Sequence, residues 1–187
     1  TDPKDGHGQD LEHIVRELNL TNGQVAFSKD KVEPGQLATV YNIADCTINI
    51  ADAEGFGLAT LESLATGTPV IVSMTGGLQE QVTDGEDWFG IGIEPASKAI
   101  IGSQDVPYIY EDRHNGKEVT DALEKFYNLS KEERDEMGRK GREHVMKNYN
   151  FQDYIGGWDK IITEIHERCG SWENRKDYQG WELREIQ

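Results

Sequence analysis

Apolar positions recur along this chain at two spacings, one helical and one strand-like. Leu11, Ile14, Val15 and Leu18 predict a helix over 9–20, closed by a turn at Thr21-Asn-Gly23. Val25 and Phe27 predict a short buried strand over 25–27. Leu37, Val40 and Tyr41 share one face of a helix over 34–44, with Pro34 near its start. Ile48 and Ile50 mark a strand over 46–51. A helix over 58–66 follows, with Gly67 suited to its left-handed C-terminal position, and then a strand over 69–73.

Gly76-Gly77 opens a short helix over 78–82 that stops at Asp84-Gly85. Residues 90–93 predict a further strand, and residues 94–116 show no period and predict a long loop. Val119, Leu123 and Phe126 align on a helix over 117–127. Ser130-Lys-Glu-Glu133 is a capping box that launches a charged helix to Tyr149. Ile155, Trp158, Ile161, Ile162 and Ile165 fall on one face of a helix over 152–169. The segment 171–187 is charged but carries Trp172, Tyr178 and Trp181, so it is expected to pack as a tail beside a domain over 1–170.

Helices alternating with short β-branched strands define an α/β class with a parallel sheet. Ligands of such sheets bind beyond the carboxyl ends of the strands. The strand ending near Ala51 delivers the chain there, to Glu54-Gly-Phe-Gly-Leu-Ala-Thr-Leu-Glu62. Two carboxylates thus bracket seven residues. Gly55 and Gly57 let the backbone approach a ligand closely. The N–H groups of Phe56, Gly57 and Leu58 stand at a helix start, where they can cradle a phosphate. Glu54 is placed to accept from sugar hydroxyls. Glu62, one turn inside the helix, leans back toward the same end and can reach a ribose diol.

Charge narrows the ligands. The net charge is −16, from 35 acids and 19 bases. Nucleic acid and anionic membranes are poor partners for such a chain. A bound anion needs local N–H donors and a few placed cations. No apolar run approaches the roughly 20 residues of a membrane span, and the first residues lack the apolar core of a signal peptide. Cys46 and Cys169 are lone thiols, which fits a reduced, cytoplasmic setting. The five histidines are scattered and form no metal-ligand spacing with the cysteines.

Residues 45–85 resemble the donor-binding region of the retaining group 1 glycosyltransferases (family four, GT-B fold). An Ala-Asp strand, Glu54-Gly-Phe-Gly-Leu58, Glu62 after seven residues, Gly67-Thr-Pro-Val-Ile71 and Gly76-Gly-Leu-Gln-Glu80 carry the resemblance, which extends more loosely over 9–169. It implies a Rossmann-like parallel sheet with flanking helices, the C-terminal half of a GT-B fold. Glu54 then corresponds to the acid that holds the donor sugar. Gly55, Phe56, Gly57 and Leu58 correspond to the turn that donates to sugar and diphosphate, and Glu62 to the ribose ligand. Gly76, Gly77 and Glu80 correspond to the loop and short helix that shape the pocket. The segment Phe27-Ser28-Lys29 matches the place where the backbone meets the nucleotide base. Lys29 is either a local cation for the donor or a solvated surface lysine.

The resemblance also implies parts with no match here. The acceptor-binding N-terminal domain, the sheet's first strands and an Arg and Lys on the donor phosphates have no counterpart. Asp5-Gly-His-Gly8 resembles the remnant of a Gly-rich turn. The chain is therefore expected to be a fragment, inactive alone, with the 25–27 strand short of neighbours. The 46–51 strand is expected to expose an edge that invites a rearranged or homodimeric sheet. Asp84-Gly-Glu-Asp-Trp88 departs from the family's turn, and Trp88 and Phe89 either line the pocket or, as favoured, staple this loop to the core. The implied reaction moves a sugar from a UDP- or GDP-sugar to a hydroxyl of a glycan, lipid or small acceptor, with retention and with no metal or other cofactor. A sugar phosphorylase, a disaccharide-phosphate synthase or a non-catalytic module of the same fold are the alternatives.

Overall fold

The strand β2 (Val70–Ser73) organises the sheet, because all four of its residues are buried. Side chains alternate across a strand, so Val70 and Val72 face one side and Ile71 the other. Each side meets its own apolar cluster. Val70 and Val72 pack with Leu64, Leu78, Val82, Phe89 and Val145. Ile71 packs with Ile91, Ile93, Ala122 and Phe126. A strand buried on both faces reads as a continuous apolar run, as Val-Ile-Val does here.

The computed structural model describes residues 2–6 and 8–177. The chain divides into two compact units, Thr1–Val40 and Tyr41–Gln187. In the second, β1 (Thr47–Asn49), β2 and β3 (Gly90–Ile93) form a parallel sheet in sequence order, β1-β2-β3. The helix α3 (Leu58–Thr66) and the short helix α4 (Leu78–Val82) supply Leu64, Leu78 and Val82 to one face. The helix α5 (Gly116–Tyr127) supplies Ala122 and Phe126 to the other. The α/β class and the parallel sheet follow the sequence expectation. The sheet keeps sequence order, so no rearrangement of these strands is seen. Among the described residues β1 pairs only with β2, and its other edge carries no ladder.

Local chemistry explains the element ends. Gly67 closes α3 at φ 85°, and its N–H returns to the carbonyls of Leu64 and Ser63. Both halves of the Ser130–Glu133 capping box form at the start of α6 (Lys131–Asn148). Gly138 of α6 lies so close to Gly67 that a Cβ there would stand 1.9 Å from the Gly67 carbonyl oxygen. That close approach lets α6 place Val145 in the core.

Two expectations are corrected. Residues 94–116 are not a loop but contain an antiparallel hairpin, β4 (Ser97–Ile101) with β5 (Ile109–Arg113). Most of its residues are exposed on both faces, so no polar–apolar alternation marks it in the sequence. The helix α7 (Phe151–Cys169) forms as expected, and none of its residues is buried. Its apolar stripe of Ile155, Trp158, Ile161, Ile162 and Ile165 lies exposed. Second, the expected buried strand over 25–27 is irregular, and Val25 is exposed. A strand is held by ladder bonds to a neighbour, and no described residue provides one here.

In the Thr1–Val40 unit, α1 (Leu11–Glu17) starts at Asp10, whose carboxylate accepts from the His13 N–H at 2.8 Å. The helix α2 (Pro34–Ile43) also begins in this unit, with proline at its first position. Trp172, at the start of the expected tail, is exposed beneath the Arg175 guanidinium. Tyr178 and Trp181 lie outside the described residues. None of the described helices is long and apolar enough to cross a membrane.

Candidate functional site

The turn that follows β1 folds around its own carboxylate. Glu54 Oε1 accepts from the Phe56 N–H at 3.3 Å and the Gly57 N–H at 3.0 Å. Two consecutive backbone donors therefore converge on one anionic oxygen. This is the nest geometry that sequence reasoning expected for a phosphate, here filled from within by an acid expected to hold a sugar. Gly57 makes the convergence possible. It sits in the left-handed region at φ 88°, and a Cβ there would meet Leu78 Cδ2 at 2.5 Å. Leu58 begins α3, whose first-turn N–H groups have no partner within the helix. Gly55, by contrast, has open space around it.

Gly76 and Gly77 press directly on this turn. Gly76 has φ 47°, and a Cβ on it would stand 1.7 Å from the Glu54 carbonyl oxygen. A Cβ on Gly77 would stand 2.7 Å from the Phe56 carbonyl oxygen. Only glycine lets the two loops meet backbone to backbone. Glu80, in α4, is exposed. Its carbonyl lies 3.2 Å from His144 Nε2, and the His144 ring stacks 4.5 Å from that of Phe89.

Glu62 is exposed on α3, eight positions beyond Glu54. Its Oε2 accepts from the Tyr41 hydroxyl at 3.0 Å. Partial burial and then the Glu62 carboxylate push the Tyr41 phenol up to about 12. The Tyr41 carbonyl in turn accepts from Thr68 Oγ1 at 2.9 Å. Ser63, the residue after Glu62, bonds Thr47 Oγ1 at 2.8 Å and the Thr68 carbonyl at 3.1 Å. These hydroxyls tie Tyr41, β1 and α3 into one set around Glu62.

Three supporting residues were not foreseen in the sequence. Tyr41 was assigned only to a helix face. Gln81 is fully buried, and its amide donates to the Phe56 carbonyl, steadying the turn from below. Arg113 of β5 pairs with Asp52 at 3.0 Å and Glu111 at 2.8 Å, while the Asp112 N–H bonds the Asp52 carbonyl at 2.8 Å. The hairpin thus holds the loop that leads to Glu54. None of these shows in the sequence, because each joins residues at least 21 positions apart or elements without a periodic signal.

Lys29 lies in the Thr1–Val40 unit. Its ammonium pairs with Glu12 at 3.0 Å, and Lys4 pairs with the same carboxylate at 3.2 Å. These two cations hold the Glu12 carboxyl below its usual range. Phe89 is buried in the core, as expected of a staple, whereas Trp88 is half exposed. Asp84 caps the 84–87 turn by accepting from the Glu86 and Asp87 N–H groups, which hold its carboxyl low. An open cavity of about 620 Å³ runs beside the turn, lined by Phe56, Leu61, Tyr149, Phe151 and Tyr154 among others. Glu54 and Glu62 do not line it. Among the described residues no three His, Cys, Asp or Glu side chains gather as metal ligands. Cys46 is a free thiol, pushed up chiefly by burial.

Sheet order, flanking helices and the turn beyond β1 define an α/β domain of the GT-B glycosyltransferase kind, and two solved structures share the fold. The sucrose-phosphate synthase from Thermosynechococcus elongatus superposes with a TM-score of 0.65 at 23% identity, covering 87% of this chain and 37% of that one. The C-terminal domain of a glycosyl transferase group 1 family protein (LpcC) from Francisella tularensis gives 0.50 at 23% identity, over 76% and 62%.

The chain belongs to the glycosyl transferases group 1 family, whose model matches residues 6–144. A D-inositol 3-phosphate glycosyltransferase from Corynebacterium urealyticum is 40% identical over 76 residues, 41% of this chain and 18% of that protein. One from Paenarthrobacter aurescens is 28% identical over 135 residues, 72% of this chain and 28% of that protein. The chain therefore matches less than a third of the length of these curated relatives.

Proposed function

We propose that this chain is the donor-binding part of a retaining glycosyltransferase of family four, which takes a sugar from a UDP- or GDP-sugar. The observation that carries this is the convergence of the Phe56 and Gly57 N–H groups on one carboxylate oxygen. A turn that holds an anionic oxygen in the free protein is built to hold one from a diphosphate. Donor binding then displaces the Glu54 carboxylate, which swings to the sugar hydroxyls. Glu62 accepts from the ribose diol, because a carboxylate accepts from two vicinal hydroxyls while a phosphate needs N–H donors. Backbone dipoles and the start of α3 stabilise the leaving diphosphate, so the proposal assigns no resident metal or cofactor.

The acceptor is a hydroxyl of a glycan, lipid or small molecule, held by protein outside these residues. The inositol phosphate chemistry named for the relatives is one candidate. The setting proposed is cytoplasmic. The uncovered edge of β1 supports pairing with a further strand, and a second copy of the chain is the partner proposed.

Calorimetric titration of the chain with UDP, GDP and their glucose and mannose conjugates tests this. The expected result is weak binding of one nucleotide, strengthened by its sugar, with Glu54→Gln removing the contribution of the sugar but not that of the nucleotide. Binding of neither nucleotide at millimolar concentration contradicts the proposal.

A further inference from the structure

Tyr41 lies outside the Glu54–Glu62 motif, yet its side chain hydrogen-bonds Glu62. Its hydroxyl donates to Glu62 Oε2 at 3.0 Å. A carboxylate has about four acceptor positions, so this bond fixes the plane of the group and leaves the rest of it open. Glu62 is exposed on α3, where a long side chain has several rotamers to choose from. A single oriented donor selects among them. Tyr41 is itself held at its carbonyl by the hydroxyl of Thr68, which is 5% exposed and sits just before β2. The donor that aims Glu62 is thus anchored at the α3–β2 connection, where the Thr68 carbonyl also accepts from the Ser63 hydroxyl.

Building on the proposed donor site, we infer that Tyr41 is a positioning residue that aims Glu62 at the ribose diol and so sets the preference for ribonucleotides over 2′-deoxyribonucleotides. A tyrosine that only packed α2 would change the affinity for both sugars alike. A tyrosine that aims Glu62 changes their ratio. Neither base nor sugar is specified by this pair, because the diol is common to every ribonucleoside diphosphate.

The test titrates the full chain, Tyr41→Phe, Glu62→Gln and the double variant with UDP and 2′-deoxy-UDP, and with GDP and 2′-deoxy-GDP. Binding is followed by backbone amide shifts, which detect millimolar affinity and report folding at once. The chain is expected to prefer the ribonucleotide by about tenfold, the value of one hydrogen bond to a charged group. Tyr41→Phe should reduce that preference severalfold, Glu62→Gln should abolish it, and Tyr41→Phe should add nothing when Glu62 is already Gln. An unchanged preference in Tyr41→Phe overturns the positioning role while leaving the donor site standing. Absence of any nucleotide binding by the unaltered chain overturns both.

A second readout needs no ligand and guards against a misfolded variant. The Tyr41 phenol, held near 12, should fall toward the ordinary tyrosine value in Glu62→Gln. A folded-state value above the unfolded one contributes stability that is complete below about pH 10 and lost as pH rises through about 12. A Tyr41 titration that Glu62→Gln leaves in place overturns the pair itself.

Discussion

The helices α3 and α7 both carry apolar residues at helical spacing, yet they end in opposite environments. In α3, Thr60, Ser63 and Leu64 are buried over a length of nine residues. In α7, nineteen residues bury none, and Ile155, Trp158, Ile161, Ile162 and Ile165 stay exposed. Spacing therefore reports that a helix is amphipathic and does not report what covers it. What separates the two is the next element. A strand, β2, follows α3 within four residues and lies against it, and α6 closes over both at Gly138 and Gly141. After α7 the described chain offers no such element.

Substitutions on the two helices should differ in cost accordingly. Leu64→Ala removes a side chain with no exposure and should lower stability by about 2–5 kcal/mol, read from urea unfolding. A loss below about 1 kcal/mol would mean that the α3 face is not the core described. Next in size is Gly76→Ala, which forces a Cβ into the Glu54 carbonyl at a positive φ and should cost roughly 1–3 kcal/mol. It should also displace the Phe56 and Gly57 amide resonances, whereas Gly55→Ala, with open space around it, should leave them in place.

Ser130→Ala removes one half of the capping box on α6 and should cost about 1 kcal/mol, with the loss concentrated in amide exchange of the first turn. The smallest effect belongs to α7. Ile162→Ala should change stability by less than about 0.5 kcal/mol, because the side chain is exposed. A cost similar to that of Leu64→Ala would show that α7 is covered in solution and would erase the contrast with α3.

The same contrast explains how much of the molecule was legible in the sequence. Where local chemistry and packing agree, the elements were readable. The bounds of α3, its Gly67 stop and the Ser130 capping box are cases, since short-range rules suffice for each. Where the outcome depends on a neighbour, they were not. Val25 and Phe27 have strand composition but no ladder partner among the described residues. The hairpin over 97–113 has partners but, exposed on both faces, no alternation.

The candidate site divides in the same way. Gly57 and Glu54 follow from turn chemistry, Glu62 from its place one turn inside a helix, and the part of Gly76 and Gly77 from the family resemblance. Tyr41, Gln81 and Arg113 act across the fold and needed coordinates. The inward fold of Glu54 onto its own N–H groups carries no sequence signal either. A motif names an acid and its donors but not that they satisfy one another before a ligand arrives.

In the proposed donor site, the Phe56–Gly57 nest is a diphosphate site that Glu54 fills until the donor displaces it. Amide spectra of the full chain under titration with UDP and with GDP test it most directly. One nucleotide should shift the Phe56, Gly57 and Leu58 amides first and furthest, and Glu54→Gln should leave the nest easier to occupy. Shifts that spare these three amides, with binding reported elsewhere, would contradict it.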